Sequence, residues 1–448
     1  MEKQLLAGFA RVDITPTESV PLAGFGNSSA RMSQRVLSPL YSSCLAVTGK
    51  DGTTVIFFHN DLCTTPVEFS DPVRKGVSEA TGVPYANIMV TATHNHTSPD
   101  LNNRREPNLV HYVETATRLL VQCAVEAMAD RRPAALQTAK VQTEGLNFVR
   151  HYILSDGTYK GDNFGTLNKN PIVGHASQAD GEMRLVKFCR NSGGDIWLAN
   201  FQGHPHKASG PKKYEISADL IGAMREEVEE TENCRFLYFS GASGNLNCAS
   251  RIPEENRYGD WQSHGKALAA CALQAKFKTV EGEQVRVCAV SHSQSINRPD
   301  PKLLAHAREI AELWRKTNDS KIVVLLAVSY GINSPYAANS IVRRSAMKED
   351  SLDILMDVVC IGNIGFVFAS YEMFDTNGKY IREHSPFETT VIATYANDQN
   401  SYIPSSIGFG YGCYESDLCF FKPGTGEKLA EQYVQMLQNL TEVKNDKP

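Results

Sequence analysis

Two short histidine pairs dominate the chemistry this sequence offers. Thr91-Ala92-Thr93-His94-Asn95-His96-Thr97-Ser98-Pro99 follows directly on the apolar run Ile88-Met89-Val90. Residues two apart on a strand point to the same side, so His94 and His96 face one site at the strand's C-terminal end, where α/β sheets place their ligands. Gly203-His204-Pro205-His206 ends a second apolar run, Trp197-Leu198-Ala199-Asn200-Phe201, in the same way. Four of the twelve histidines thus fall into two strand-end clusters, and convergence of neutral imidazoles favours zinc. Either pair alone reads equally as polar histidines at a loop mouth; together they argue for a metal. The chain has no CxxC pair to offer sulfur, so further ligands should be carboxylates or other oxygen donors.

A candidate carboxylate is Glu372, which follows the apolar run Ile364-Gly365-Phe366-Val367-Phe368-Ala369 and precedes a short helical stretch. It is either a ligand or a helix cap. Between the histidine pairs and Glu372, Phe236-Leu237-Tyr238-Phe239 runs into the small-residue turn Ser240-Gly241-Ala242-Ser243-Gly244-Asn245-Leu246-Asn247. Its backbone N–H groups either cradle an oxyanion or simply make a tight bend. It lacks the lysine of a phosphate-binding loop and the spacing of a serine-hydrolase elbow.

Positioning these groups requires strands that end at one place. Apolar runs of strand length alternate with amphipathic stretches along the whole chain, which predicts an α/β class with layered, mixed β-sheets flanked by helices. Strands are expected at 40–48, 54–59, 87–93, 135–142, 183–188, 196–203, 236–239, 285–293, 322–329, 355–361 and 366–370. Helices are expected at 72–81, 109–130, 218–230, 258–276, 302–316 and 426–440. Residues 143–178 and 397–423 have no period and read as long ordered loops, which in compact domains are commonly functional.

Composition narrows the partners. Of 448 residues 42% are hydrophobic, and 45 basic side chains against 50 acidic ones leave a net charge of −5, with no basic run to follow a phosphate backbone. No nucleic-acid partner is expected. The longest apolar run, residues 322–328, is about a third of the roughly 20 residues a membrane-spanning helix needs, so no integral membrane association is expected either. Eleven scattered cysteines fit reduced thiols, and with no basic leader at the start of the sequence a cytoplasmic protein is expected.

Taken in order, these motifs resemble the catalytic domain of the neutral/alkaline non-lysosomal ceramidase family. The resemblance opens with Ala7-Gly8-Phe9-Ala10-Arg11-Val12-Asp13-Ile14-Thr15-Pro16 and Leu22-Ala23-Gly24-Phe25. It continues through Asp61-Leu62, the His94/His96 motif, Asn147 to Arg150, and Ser217-Ala218-Asp219-Leu220-Ile221-Gly222. It closes with the Gly244 turn, Glu372 in place of the family's Pro-Gly-Glu, and Asn397 to Tyr402. It implies one catalytic Zn2+ held by His94, His204, Glu372 and Tyr402, with His96 behind the ligands or facing the substrate. It also implies one catalytic domain over residues 1–448, without the C-terminal sandwich domain of full ceramidases.

One departure bears on mechanism. Where the family carries a catalytic serine this chain has Asn247, which cannot act as a nucleophile but can donate a hydrogen bond to a carbonyl oxygen or hold a water. Ser243 and Ser250 are nearby alternatives. The resulting expectation is a zinc-dependent hydrolase that cleaves a linear amide bond of a small N-acylated substrate other than ceramide, with His96, Asn247 and His206 near the scissile carbonyl. The competing readings are a zinc esterase of the same fold and a ligand-binding protein that has lost catalysis. Metallo-β-lactamases need Asp where Ser98 stands, and amidohydrolase barrels place HxH on their first strand, so neither fits. Arg343-Arg344 is either a solvated basic pair or a binder of a substrate carboxylate.

Overall fold

Strands that are apolar at every position must be covered on both faces, and Ile88–Ala92, Ile196–Phe201 and Ile364–Ala369 are buried throughout. The structure is a computed structural model that describes residues 4–25, 28–103, 105–162, 169–210, 212–317 and 320–441. It meets that requirement with two stacked sheets. The first is nine-stranded, in the order Arg235–Ser240, Ile196–Phe201, Glu182–Arg190, Arg132–Gln142, Leu6–Asp13, Tyr41–Thr48, Thr54–Asn60, Ile88–Ala92, with Lys278–Val280 added beside Arg132–Gln142. The second has four strands, Val285–Ser295, Ser351–Ile361, Ile364–Ala369 and Thr389–Ala393.

A core of Phe57, Phe239, Phe366 and Phe368 fills the space between the sheets, with Phe57 and Phe368 ring centroids 5.0 Å apart. Helices Val67–Thr81 and Pro107–Ala129 cover the outer face of one half of the large sheet, and Asp219–Glu232 and Trp261–Leu273 cover the other half. Asp375–His384 and Thr425–Thr441 cover the small sheet. The layered α/β architecture expected from the sequence is present.

Within the two stacked sheets three strand pairs are parallel: Thr54–Asn60 with Ile88–Ala92, Ile196–Phe201 with Arg235–Ser240, and Ile364–Ala369 with Thr389–Ala393. Their C-terminal ends are tied together across the two sheets. Ser240 Oγ donates to the Thr93 carbonyl at 2.7 Å, and the Thr394 amide donates to the Ser240 carbonyl at 2.9 Å. The Asn397 side-chain oxygen accepts from the Val90 amide at 2.8 Å while the Asn397 backbone N–H donates back to the Val90 carbonyl at 2.9 Å.

Several elements differ from expectation. Residues 322–329, expected as a strand, belong to the helix Ser320–Ser329, which packs Val323 and Ala327 against Pro301–Thr317 and Pro335–Ala346. A short, unbroken apolar run carries neither the strand period nor the helix period, so tertiary contact decides it. The strands Leu6–Asp13 and Thr389–Ala393 and the helix Pro335–Ala346 were not expected. The stretch 143–178 is not a plain loop: Ile172–His175, His151–Leu154 and Tyr159–Gly161 form a small sheet, and Phe148–Val149 pairs with Leu246–Asn247. Its residues 163–168 lie outside the described residues. Among the described residues no helix is long and apolar enough to cross a membrane. All eleven cysteines are free thiols.

Two buried ion-pair clusters hold the framework. Asp61, fully buried, meets Arg225 at 2.8 Å and accepts from the Tyr41 amide at 2.9 Å. Glu415 joins two neighbours, Arg150 Nε at 2.6 Å and His151 Nε2 at 2.7 Å. Burial disfavours the Glu415 carboxylate, but Arg150 and His151 outweigh it and hold its pKa down at about 2. A carboxyl depressed in the folded state contributes stability that is complete above its unfolded value and vanishes as pH falls through the folded one. Wild type is therefore expected to lose roughly 3 kcal/mol of its advantage over Glu415→Gln between about pH 4.5 and pH 2. Urea unfolding of both proteins across that range checks it; parallel curves would refute the assignment.

Candidate metal centre

The strand ends deliver three donor atoms to one point. His94 follows Ile88–Ala92, His204 follows Ile196–Phe201, and Glu372 follows Ile364–Ala369. Glu372 Oε2 lies 3.2 Å from His204 Nε2 and 3.6 Å from His94 Nε2. All three side chains are buried. His94 reaches this position with φ 67°, a left-handed conformation that a non-glycine residue adopts at a cost and that recurs at functional sites.

The tautomers follow from the backbone. His94 Nδ1 donates to the Cys63 carbonyl and His204 Nδ1 to the Leu246 carbonyl, both at 2.8 Å. Burial, opposed only in part by Glu372, lowers the His94 pKa to about 3, and burial together with Arg150 holds His204 well below the ordinary imidazole value. Both rings are therefore neutral near pH 7, with Nε2 lone pairs aimed at a carboxylate oxygen. Burial also raises the Glu372 pKa. Two imidazole lone pairs and a carboxylate repel one another unless a cation lies between them.

The donor set fits zinc. Ligands bound at 2.0–2.1 Å in a tetrahedron stand about 3.3 Å apart, and the separations of 3.2 and 3.6 Å bracket that length. A ligating imidazole whose other nitrogen is fixed by a carbonyl is the usual arrangement. A second cluster, Cys63, His94 and His96, shares His94. Burial keeps the Cys63 thiol well above its ordinary pKa, which favours the carboxylate set.

Tyr402 arrives through strand register: Glu372–Met373 and Tyr402–Ile403 pair in parallel with Glu372 directly opposite Tyr402. A side-chain hydrogen bond from Tyr402 favours the charged form of Glu372. His96 is half-buried, with Nε2 3.4 Å from His94 Nε2, and its ring stands edge-on to Phe25. Gly24, at φ 104°, permits this, because a Cβ there would lie 2.3 Å from His96 Cγ.

Asn247 and His206 sit on the other flank. His206 Nε2 lies 3.0 Å from Asn247 Oδ1, and Arg150 Nη1 lies 3.3 Å from the same oxygen and 3.3 Å from His204 Nε2. Asn247 Nδ2 donates to Asp162 at 2.5 Å. The acidic and basic partners fix the orientation of this amide. Of the alternative serines, Ser243 Oγ lies 3.2 Å from the Tyr395 hydroxyl, while Ser250 is held away by Asn256 and His175. The Gly244 turn makes a close approach, its amide donating to the Met373 carbonyl at 2.7 Å.

Two participants carried no sequence signal for their roles. Tyr395 stacks flat on His94, with centroids 3.9 Å apart, and its hydroxyl donates to Glu372 Oε2 at 3.3 Å. Arg150, buried in the centre, bridges Glu415, the Gly244 carbonyl and Asn247. The family resemblance includes Arg150 as a position and carries no information on what it touches.

A cleft of about 410 Å³ opens over His94, His96, Glu372 and Tyr402. No protein-family model and no curated protein sequence matches the chain. Solved structures do. The neutral ceramidase from Pseudomonas aeruginosa superposes with a TM-score of 0.71 at 16% identity, over 98% of this chain and 75% of that one. A ceramidase complexed with C2 superposes with a TM-score of 0.71 at 16% identity, over 99% and 77%. With two stacked sheets whose parallel strand ends converge on a His-His-carboxylate cluster, this chain has the neutral ceramidase fold.

Proposed function

We propose that the protein is a zinc-dependent hydrolase that cleaves a linear amide bond of a small N-acylated compound. The observation that carries this reading is the convergence of His94 Nε2, His204 Nε2 and Glu372 Oε2 on one point at the floor of an open cleft. The ceramidase-like fold supports the reaction class. Tyr402 completes the ligand set from the adjoining strand. Bound there, Zn2+ would supply Lewis-acid polarisation of a carbonyl and acidify a water.

The chain's own groups then divide the remaining work. His96, kept neutral by burial and by the imidazoles around it, has a lone pair available for a proton. Asn247 spends one amide hydrogen on Asp162 and accepts from His206 and Arg150, which leaves its second hydrogen for a substrate carbonyl oxygen. His206 orients that amide, and in this reading it is the group that passes a proton to the departing amine. Asn247 excludes a covalent acyl intermediate at its own position, since an amide is no nucleophile.

Purified protein should release amine from members of a panel of short N-acyl amino acids, N-acetylated sugars and ceramide, and a zinc chelator should stop it. Silence on every member, with zinc bound stoichiometrically, would overturn the amidase reading. Glu372→Ala is expected to lose both zinc, by metal analysis, and turnover; a fully active variant would remove Glu372 from the ligand set. Asn247→Ser is expected to retain stoichiometric zinc, because its side chain points to the flank of the cluster, and loss of metal would show that residue 247 is a ligand support instead.

A further inference from the structure

Among the described residues that line the cleft over the candidate metal cluster, one cationic side chain has a charge that is not used by the fold. Arg343, on the helix Pro335–Ala346, lines the cleft together with His94, Glu372 and Tyr402. Its guanidinium lies over the Phe420 ring, 5.0 Å from the centroid. It is exposed, and among the described residues no carboxylate forms an ion pair with it. The neighbouring Arg344 is its structural opposite: buried, turned the other way, and donating to the Cys419 carbonyl at 2.7 Å. Of this basic pair, one member is consumed by the fold and one is presented to the cleft.

Stacking on an aromatic face restricts the guanidinium plane while leaving its edge free, which prepares the fork for a planar bidentate acceptor. A carboxylate is that acceptor. The cleft wall also carries Asp100, so its charge is mixed and does not by itself attract anions. Recognition therefore has to be local, at the arginine.

We infer that Arg343 binds a carboxylate of the substrate, so that the compound hydrolysed is an N-acylated molecule carrying a free carboxylate. This rests on the amide-hydrolase reading for its chemistry but not for its binding. The carboxylate can belong to the amine half, as in an N-acyl amino acid, or to the acyl half, as in an N-succinyl amine.

Two matched pairs separate these sources on the zinc-loaded enzyme: N-acetylphenylalanine with its primary amide, and N-succinylbenzylamine with its methyl ester. Wild type should prefer the charged member of at least one pair, and which pair responds identifies the half that bears the charge. Arg343→Met should raise KM for that charged member roughly ten- to hundredfold more than for its neutral partner, with Arg343→Lys restoring part of the difference and kcat little changed. If no compound is cleaved, the hydrolase reading fails alone, and calorimetric binding of the same four compounds to wild type and Arg343→Met still decides the inference. Equal affinity for charged and neutral members, or an equal loss for both in the variant, overturns it.

Discussion

Everything around the centre follows from one electrostatic constraint: two neutral imidazoles and a carboxylate are held with their lone pairs facing one another in a buried place. Such an arrangement is unstable by itself and must be imposed by its surroundings. The imposition is visible at each donor. Backbone carbonyls of Cys63 and Leu246 hold the two histidine rings, and the Tyr395 hydroxyl and the Tyr402 strand hold the carboxylate. His94 accepts a left-handed backbone and lies under a stacked tyrosine. A protein that needed only two polar histidines at a loop mouth would have no reason to arrange all of this.

The constraint reaches outward through Arg150. Its guanidinium would be expensive to bury unpaired, and Glu415 neutralises it while also engaging His151. With its charge so compensated, Arg150 orients Asn247 and stands 3.3 Å from His204 Nε2. The short strand Phe148–Val149, paired with Leu246–Asn247, delivers Arg150 to this position. The described part of the stretch after residue 142 thus contributes strands where it adjoins the centre.

The fold was legible where burial imposes a simple pattern. Strands such as Ile88–Ala92 and Ile364–Ala369 are unbroken apolar runs, and helices such as Pro107–Ala129 keep one apolar face. It was illegible where one pattern serves two structures. The run at 322–328 is as apolar as a central strand, yet it packs on helices through Val323 and Ala327 and leaves Ile322, Leu325 and Val328 exposed. Leu6–Asp13 escaped for a different reason: as a central strand of the large sheet it pairs along its whole length with Tyr41–Thr48, but Gly8, Ala7 and Ala10 give it little apolar bulk to read.

By itself the sequence determined the kinds of chemistry available. Histidine pairs closing two apolar runs, a glutamate closing a third and the absence of any paired cysteine motif already pointed to nitrogen and oxygen ligands at strand ends. These are local properties, set by residue type and by the period of a strand. Tertiary structure alone decided which donors meet, because His94, His204 and Glu372 lie more than a hundred residues apart and converge only when two sheets stack with their parallel ends aligned. It also decided which arginine of the 343–344 pair faces the cleft, since helix rotation against Phe420 and Cys419 is a matter of packing that no local pattern encodes.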